Sequence, residues 1–506
     1  MSTLSSQSFW HIMSQSRISN RIACSLIAFV LGVSPLSISF AQTSINDLPD
    51  LGESARAELS PQLERKIGES IMNEIRQRGP SYIDDSEIND YLANLGRRLV
   101  EASDSPTGEF NFFAIRDNTV NAFAMFGGYI GINTGTMLTA QSESELAGVI
   151  AHEIAHVTQH HLARQIAKEK QSTIPSLVAM ALGILAARSN TSVAAGAVAS
   201  VQAGIIQSQL AFSRDFEREA DRMGYQTLEK AGFDVRGMGD FFERLQKVTR
   251  LYDNNAPVYL RSHPLTIERL SDMQGRAAGS PYRQVVSSLD FHLIRARLRA
   301  QDGSPRDAVR EFEKLLREKK YVSQAAVQYG LSLALLRARD VEGAKRASEN
   351  LTALADSSSI VAGLVAEIRG AAGDFAGAHA IYRAALQRFP QAKSLIYGYA
   401  ESLYAARDFS TAQEFLESQL QRDAWDYKLY GLQAKNHAAR GKRLLQHRAL
   451  AEFYFLQGQL GPAIEQLEFA QKATDGNFYE LSAVDARLRE LRKQHMEEEK
   501  KRRNGG

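Results

Sequence analysis

At 506 residues, with 44% apolar and 23% charged residues and a net charge of +2, the chain is long enough for two to four folded domains. This composition excludes a disordered or low-complexity protein, and so small a net charge gives no basis for nucleic acid as a partner. The only cysteine, Cys24, rules out an intramolecular disulfide. The chain opens on an export signal. Arg17 and Arg21 precede an apolar run from Ile22 to Val33, and Ser39-Phe40-Ala41 supplies small residues for cleavage after Ala41. Residues 1–41 are therefore expected to be a signal peptide, with an uncleaved N-terminal anchor as the alternative. The mature chain would carry no thiol, so a metal site in it must use histidine and carboxylates.

Residues 42–285 read as a mixed α+β segment. Ser142-Glu143-Ser144-Glu145 has the spacing of a capping box and opens an apolar-periodic helix through Leu146, Val149, Ile150, Ile154 and Val157. That helix carries His152-Glu153-Ile154-Ala155-His156. Two histidines at i and i+4 share one helix face and can reach one Zn²⁺, with Glu153 placed to take a proton from water. The plainer alternative, two core histidines beside a buried glutamate, would be costly. His160 and His161 are expected in solvent, since on a continuous helix His160 would lie about 12 Å along the axis from His152.

Residues 174–206 form an apolar stretch interrupted by Arg188-Ser189-Asn190-Thr191-Ser192. Each arm is shorter than the ~20 residues needed to cross a bilayer. A helical hairpin covering the active site is the preferred reading, and a hairpin making peripheral membrane or partner contact is the other. Beyond it, Ser213 to Arg222 places Glu217 and Asp221 on one helix face, with Glu219 roughly opposite. Glu217 can supply a third ligand, and Asp221 can accept the outer N–H of a ligating histidine. By spacing alone, a surface acidic cluster paired with Arg218 and Arg222 is as good a reading.

From residue 286 to 495 helices repeat. Ala308, Ala344, Ala378 and Ala412 each follow a Gly or Asp turn, at spacings of 36, 34 and 34 residues, and Ala463 follows 51 later. A helix pair of about 34 residues is the tetratricopeptide period. Phe312, Tyr382 and Leu416 sit four residues after their alanines. Such units stack into a curved array with a concave groove, which points to a protein partner. An irregular helical bundle is the alternative. The charged end, 496–506, is expected as a flexible tail. The fold class is thus mostly α: an N-terminal α+β zincin-like metallopeptidase domain followed by an α-helical repeat solenoid.

His152-Glu153-Ile154-Ala155-His156 with Glu217-Arg218-Glu219-Ala220-Asp221 resembles the HtpX and CAAX prenyl protease clan of zinc peptidases. Asn121-Ala122-Phe123-Ala124 and Gly127-Gly128-Tyr129-Ile130 resemble the clan's strand leading into the catalytic helix. The resemblance implies one Zn²⁺ per subunit, held by His152, His156 and Glu217. It implies Glu153 as general base and Asp221 as an orienting residue, and leaves open a second proton relay through Asp221. A peptide could add beside the strand as a further strand. The clan's periplasmic, repeat-bearing branch matches best. It implies an exported endopeptidase that degrades misassembled outer-membrane β-barrel proteins, aids their assembly, and meets the assembly machinery through the repeat groove. In that branch a segment like Ser262-His263-Pro264 brings its histidine to the metal as a regulatory fourth ligand. From the residues alone, a histidine before proline in a loop is unremarkable. Two other functions stay open: a repeat-based chaperone or scaffold with a latent peptidase, and a membrane-anchored peptidase.

Overall fold

The computed structural model describes residues 60–78, 81–169, 213–251, 258–281 and 283–504. The expected signal peptide and the 174–206 hairpin lie outside these residues. The first described half opens with helices α1 (Pro61–Arg78) and α2 (Ser86–Glu101), then strands β1 (Asn111–Ile115), β2 (Ala122–Ala124) and β3 (Tyr129–Asn133). The strands form one sheet in the order β1-β3-β2. β1 runs parallel to β3 with Phe112 opposite Ile130, and β2 runs antiparallel with Phe123 opposite Gly131. Central β3 is buried along its whole length, whereas β2 is an edge strand among the described residues.

Helices α3 (Thr134–Thr139), α4 (Glu143–Thr158), α5 (His161–Glu169), α6 (Arg214–Lys230), α7 (Arg236–Leu251), α8 (Val258–Ser262) and α9 (Ile267–Gly279) complete this half. α4 is almost wholly buried, because it packs under the sheet and against α2, α6 and α7. Ser142 caps it as expected, its hydroxyl accepting from Glu145 N–H at 3.2 Å. The reciprocal half of the capping box is displaced. Glu145 accepts instead from Gln141 N–H at 2.8 Å and from Arg244, with both carboxylate oxygens 2.7 Å from the guanidinium. A buried carboxylate gains more from a cation than from a second backbone N–H.

Beyond residue 285 the chain is helical: α10 (Leu289–Gln301), α11 (Pro305–Glu318), α12 (Gln324–Arg337), α13 (Val341–Ser348), α14 (Ser359–Ala371), α15 (Phe375–Arg388), α16 (Lys393–Ala405), α17 (Phe409–Arg422), α18 (Tyr427–Ala439), α19 (Arg443–Leu456), α20 (Leu460–Gln471) and α21 (Phe478–Asn504). Ala308, Ala344, Ala378, Ala412 and Ala463 are each the fourth residue of their helix, and all are buried. A small side chain there lets the neighbouring helix approach. Phe312 occupies the space above Gly330, where an added Cβ would lie 2.3 Å from its ring. After Ala412 the motif moves from the second helix of a pair to the first, and Gln446 holds the corresponding place in α19. α21 runs through the charged end of the chain to Asn504.

The change of architecture near residue 285 is no gap in packing. One hydrophobic cluster runs from Ile83 through Phe291 and Tyr329 to Ile368. Polar contacts reinforce it. Ser288 Oγ–H donates to Glu143 at 2.7 Å, and Arg297 holds Asp85, the N-cap of α2, at 2.8 Å. The repeats thus grip the helix that supports α4.

Candidate metal centre

α4 presents His152, Glu153 and His156, all buried, and α6 presents Glu217 and Asp221. The two helices cross where Gly224 meets His152. A Cβ at residue 224 would lie 3.1 Å from the His152 backbone, tighter than ordinary van der Waals contact, so glycine eases this approach. The loop between α8 and α9 brings His263 in from a third direction.

The ligating atoms converge. His152 Nε2 lies 3.0 Å from His156 Nε2 and 3.3 Å from His263 Nδ1. Glu217 carboxylate oxygens lie 3.5 Å from each of the His152 and His156 Nε2 atoms and 3.0 Å from His263 Nδ1. All four residues offer atoms within 4.8 Å of one another. A tetrahedral zinc with bonds of about 2.0–2.1 Å requires about 3.3–3.4 Å between ligating atoms, and this set spans that value. Two buried imidazole nitrogens 3.0 Å apart must share a proton or a metal ion. The residues therefore fit a metal dication.

The electrostatics agree. Burial alone would depress the His152 pKa, yet Asp221 and Glu217 outweigh it and raise the pKa to about 9. Burial likewise pushes Glu217 up, but His263 and His152 hold its carboxyl well below the usual carboxylate range. His156 is driven well below 6.5 by burial and by the charge on His152. Asp221 Oδ1 sits 3.1 Å from His152 Nδ1, with the ring turned off the ideal hydrogen-bond line. With a neutral ring whose proton faces this carboxylate on Nδ1, the Nε2 lone pair would point into the cluster. Glu153 is fully buried with neither carboxylate oxygen hydrogen-bonded, and Oε1 is 3.5 Å from His263 Nε2. A buried carboxylate with no hydrogen bond, beside a cation site, is placed to accept a proton from a reacting group.

Comparison with known proteins bears on this geometry. Residues 86–277 match Peptidase family M48, and residues 371–435 match a tetratricopeptide repeat. The chain is 32% identical to the β-barrel assembly-enhancing protease of Escherichia coli K12, over 94% of this chain and 96% of that one. It belongs to the β-barrel assembly-enhancing protease family. A putative member from Vibrio cholerae is 39% identical over 62% of this chain, which spans 64% of that relative's length. A mitochondrial metalloendopeptidase of Schizosaccharomyces pombe, OMA1, is 28% identical over 36% of this chain and 51% of its own. The chain is accordingly a metalloprotease with tetratricopeptide repeats, and every residue of the centre lies within the M48 match. No helix among the described residues is long and apolar enough to cross a membrane.

The structure adds residues to this family's site that the sequence pattern does not reveal. Arg269, on α9, donates to both oxygens of Asp221 at 2.6 and 2.8 Å and to the Pro264 carbonyl at 2.7 Å. Its Nη1 also lies 2.8 Å from Glu217 Oε2. Tyr259 stacks on His263, ring centroids 4.6 Å apart, and on Phe242. His161 corrects the solvated placement expected from sequence, since it is fully buried against His156. α4 ends at Thr158, and His160 adopts a left-handed φ of 51° before α5 begins. His160 itself is half-buried, 3.8 Å from the Glu64 carboxylate. Neither Arg269 nor His161 stands in helical register with a ligand, so no periodicity marks them.

Proposed function

We propose that this chain is a zinc-dependent endopeptidase of the cell envelope. The observation that carries the proposal is the convergence of His152, His156 and Glu217 at near-tetrahedral spacing beside the buried Glu153 carboxylate, which accepts no hydrogen bond. These residues would hold zinc, which when bound supplies Lewis acidity to polarise the scissile carbonyl and to acidify water. Glu153 takes the water's proton and returns it to the leaving nitrogen. Asp221, held through both oxygens by Arg269, orients His152. The exposed edge of β2 offers main-chain groups to an extended substrate beside α4.

The relatives' printed name supports the choice of substrate: outer-membrane β-barrel proteins, degraded when misassembled and assisted when productive. The signal expected to end at Ala41 supports a periplasmic location. A cavity of about 970 Å³, lined in part by Tyr82, Arg297, Glu367, Tyr397 and Glu401, lies along the repeats and supports capture of a protein segment there.

A second reading, a repeat-based chaperone with a latent peptidase, is favoured by one observation. His263 Nδ1 occupies the fourth ligating position, where it would exclude the substrate water. Casein turnover by purified protein, with zinc measured on the same sample, tests both. The parent should cleave, and Glu153→Gln should retain zinc while turnover falls by about 10²–10⁴-fold. Equal turnover by Glu153→Gln would remove the general base. Absence of cleavage by a parent that holds zinc would favour latency.

A further inference from the structure

Behind the ligand His156 lies a buried histidine with a half-buried carboxylate partner that the proposed mechanism does not use. His161 Nδ1 is 2.9 Å from His156 Nδ1, and His161 Nε2 is 3.1 Å from Glu219 Oε2. Arg164 Nη1–H donates to the same Glu219 oxygen at 2.9 Å, which fixes the carboxylate. The His161 ring stacks on Phe216 with centroids 4.5 Å apart and an interplanar angle of 15°. The Arg164 guanidinium also lies against the Phe216 ring, 4.6 Å from its centroid. The left-handed turn at His160 delivers His161 to this place, a conformation that non-glycine residues adopt only at a cost.

Hydrogen-bond chemistry assigns the protons. Glu219 accepts, so His161 carries its proton on Nε2. His161 Nδ1 then holds a lone pair and accepts from His156 Nδ1–H, which leaves the His156 Nε2 lone pair facing the ligand cluster. We infer that His161 and Glu219 are positioning residues for the metal, acting in series: Glu219 sets the tautomer of His161, and His161 sets that of His156. This rests on the reading of His156 as a metal ligand.

The two ligating histidines are thereby supported differently. Asp221 lies directly against His152, whereas the charge of Glu219 reaches His156 only through a neutral imidazole. Keeping that second carboxylate one ring further away limits the negative charge around the ion and preserves its Lewis acidity. Glu219, although it points away from Glu217 on α6, is therefore no bystander.

The test is Zn²⁺ affinity by chelator competition, with thermal unfolding of the metal-free proteins alongside. His161→Phe keeps the stack on Phe216 and removes the acceptor. It should weaken Zn²⁺ binding about 10–100-fold while the metal-free Tm stays near that of the parent. Glu219→Ala should weaken binding by a similar or smaller factor, and adding it to His161→Phe should cause no further loss, because the two act in series. His161→Gln, whose amide oxygen can accept, should recover part of the affinity. Unchanged affinity in His161→Phe, or multiplying losses in the double variant, would overturn the relay while leaving the metal site intact. A loss of affinity matched by a fall in metal-free Tm would make His161 a packing residue instead. If the parent itself binds no Zn²⁺, the metal reading fails first and the relay with it.

Discussion

Replacing Arg269 by methionine should destabilise the metal-free protein far more than the zinc-loaded one. Arg269 is 3% exposed, and its guanidinium holds two buried carboxylates: Asp221 through both oxygens, and Glu217 at 2.8 Å. At about 4 Å between charge centres and an effective dielectric of about 20, each pairing is worth about 4 kcal/mol gross. Dehydration of the three charges cancels much of that, and removing one partner from such a buried group typically costs about 3–5 kcal/mol. At about 2–4 °C per kcal/mol for a unit of 150–250 residues, the metal-free Tm should fall by at least about 6 °C. A bound dication would offset the uncompensated negative charge, so the zinc-loaded form should lose less. The pH dependence has a definite sign. Burial pushes the Asp221 pKa up, but hydrogen bonds from Arg269 and His152 and their charges hold it below its usual value. Its stabilisation is therefore present above the unfolded value of about 3.9 and is lost as pH falls through the lower folded value. In Arg269→Met burial is opposed by one partner fewer, the carboxyl pKa rises, and the deficit relative to the parent should shrink as pH falls toward 4. Thermal scans of parent and variant, each with and without zinc at pH 4.5 and 7.5, check this. Equal losses in the metal-free and zinc-loaded forms, or no loss at all, would refute the charge argument.

Other outcomes follow from the same geometry. Glu217→Gln should weaken zinc binding more than Asp221→Asn, whose effect should be about 10–100-fold, because one change removes a ligating charge and the other only its neighbour's support. Chelator competition on both variants measures the difference. His263→Ala should raise basal proteolysis of casein with zinc content unchanged, since it clears the fourth ligating position. A fall in turnover at constant zinc would give His263 a part in stabilising the transition state instead.

Local sequence was sufficient wherever one helix decides the outcome. The i,i+4 spacing puts His152 with His156, and Glu217 with Asp221, on common faces, and Ser142 caps α4 because its hydroxyl reaches only the next turn. The alanine period likewise marks where neighbouring repeat helices touch. Periodicity ends where the helix ends, however. His161 reaches His156 only because the chain turns at His160, and a continuous helix would have carried it away. Glu219 points away from Glu217, as its spacing requires, but α5 is what stands on that side. Arg269 comes from a helix packed against α6, and Arg244, not the cap residue, takes Glu145. Nor could composition show that one core runs across residue 285. Spacing along a chain determines which side chains share a face. What that face meets depends on non-local packing, set here by close approaches such as Gly224 against His152, which only the folded chain brings about.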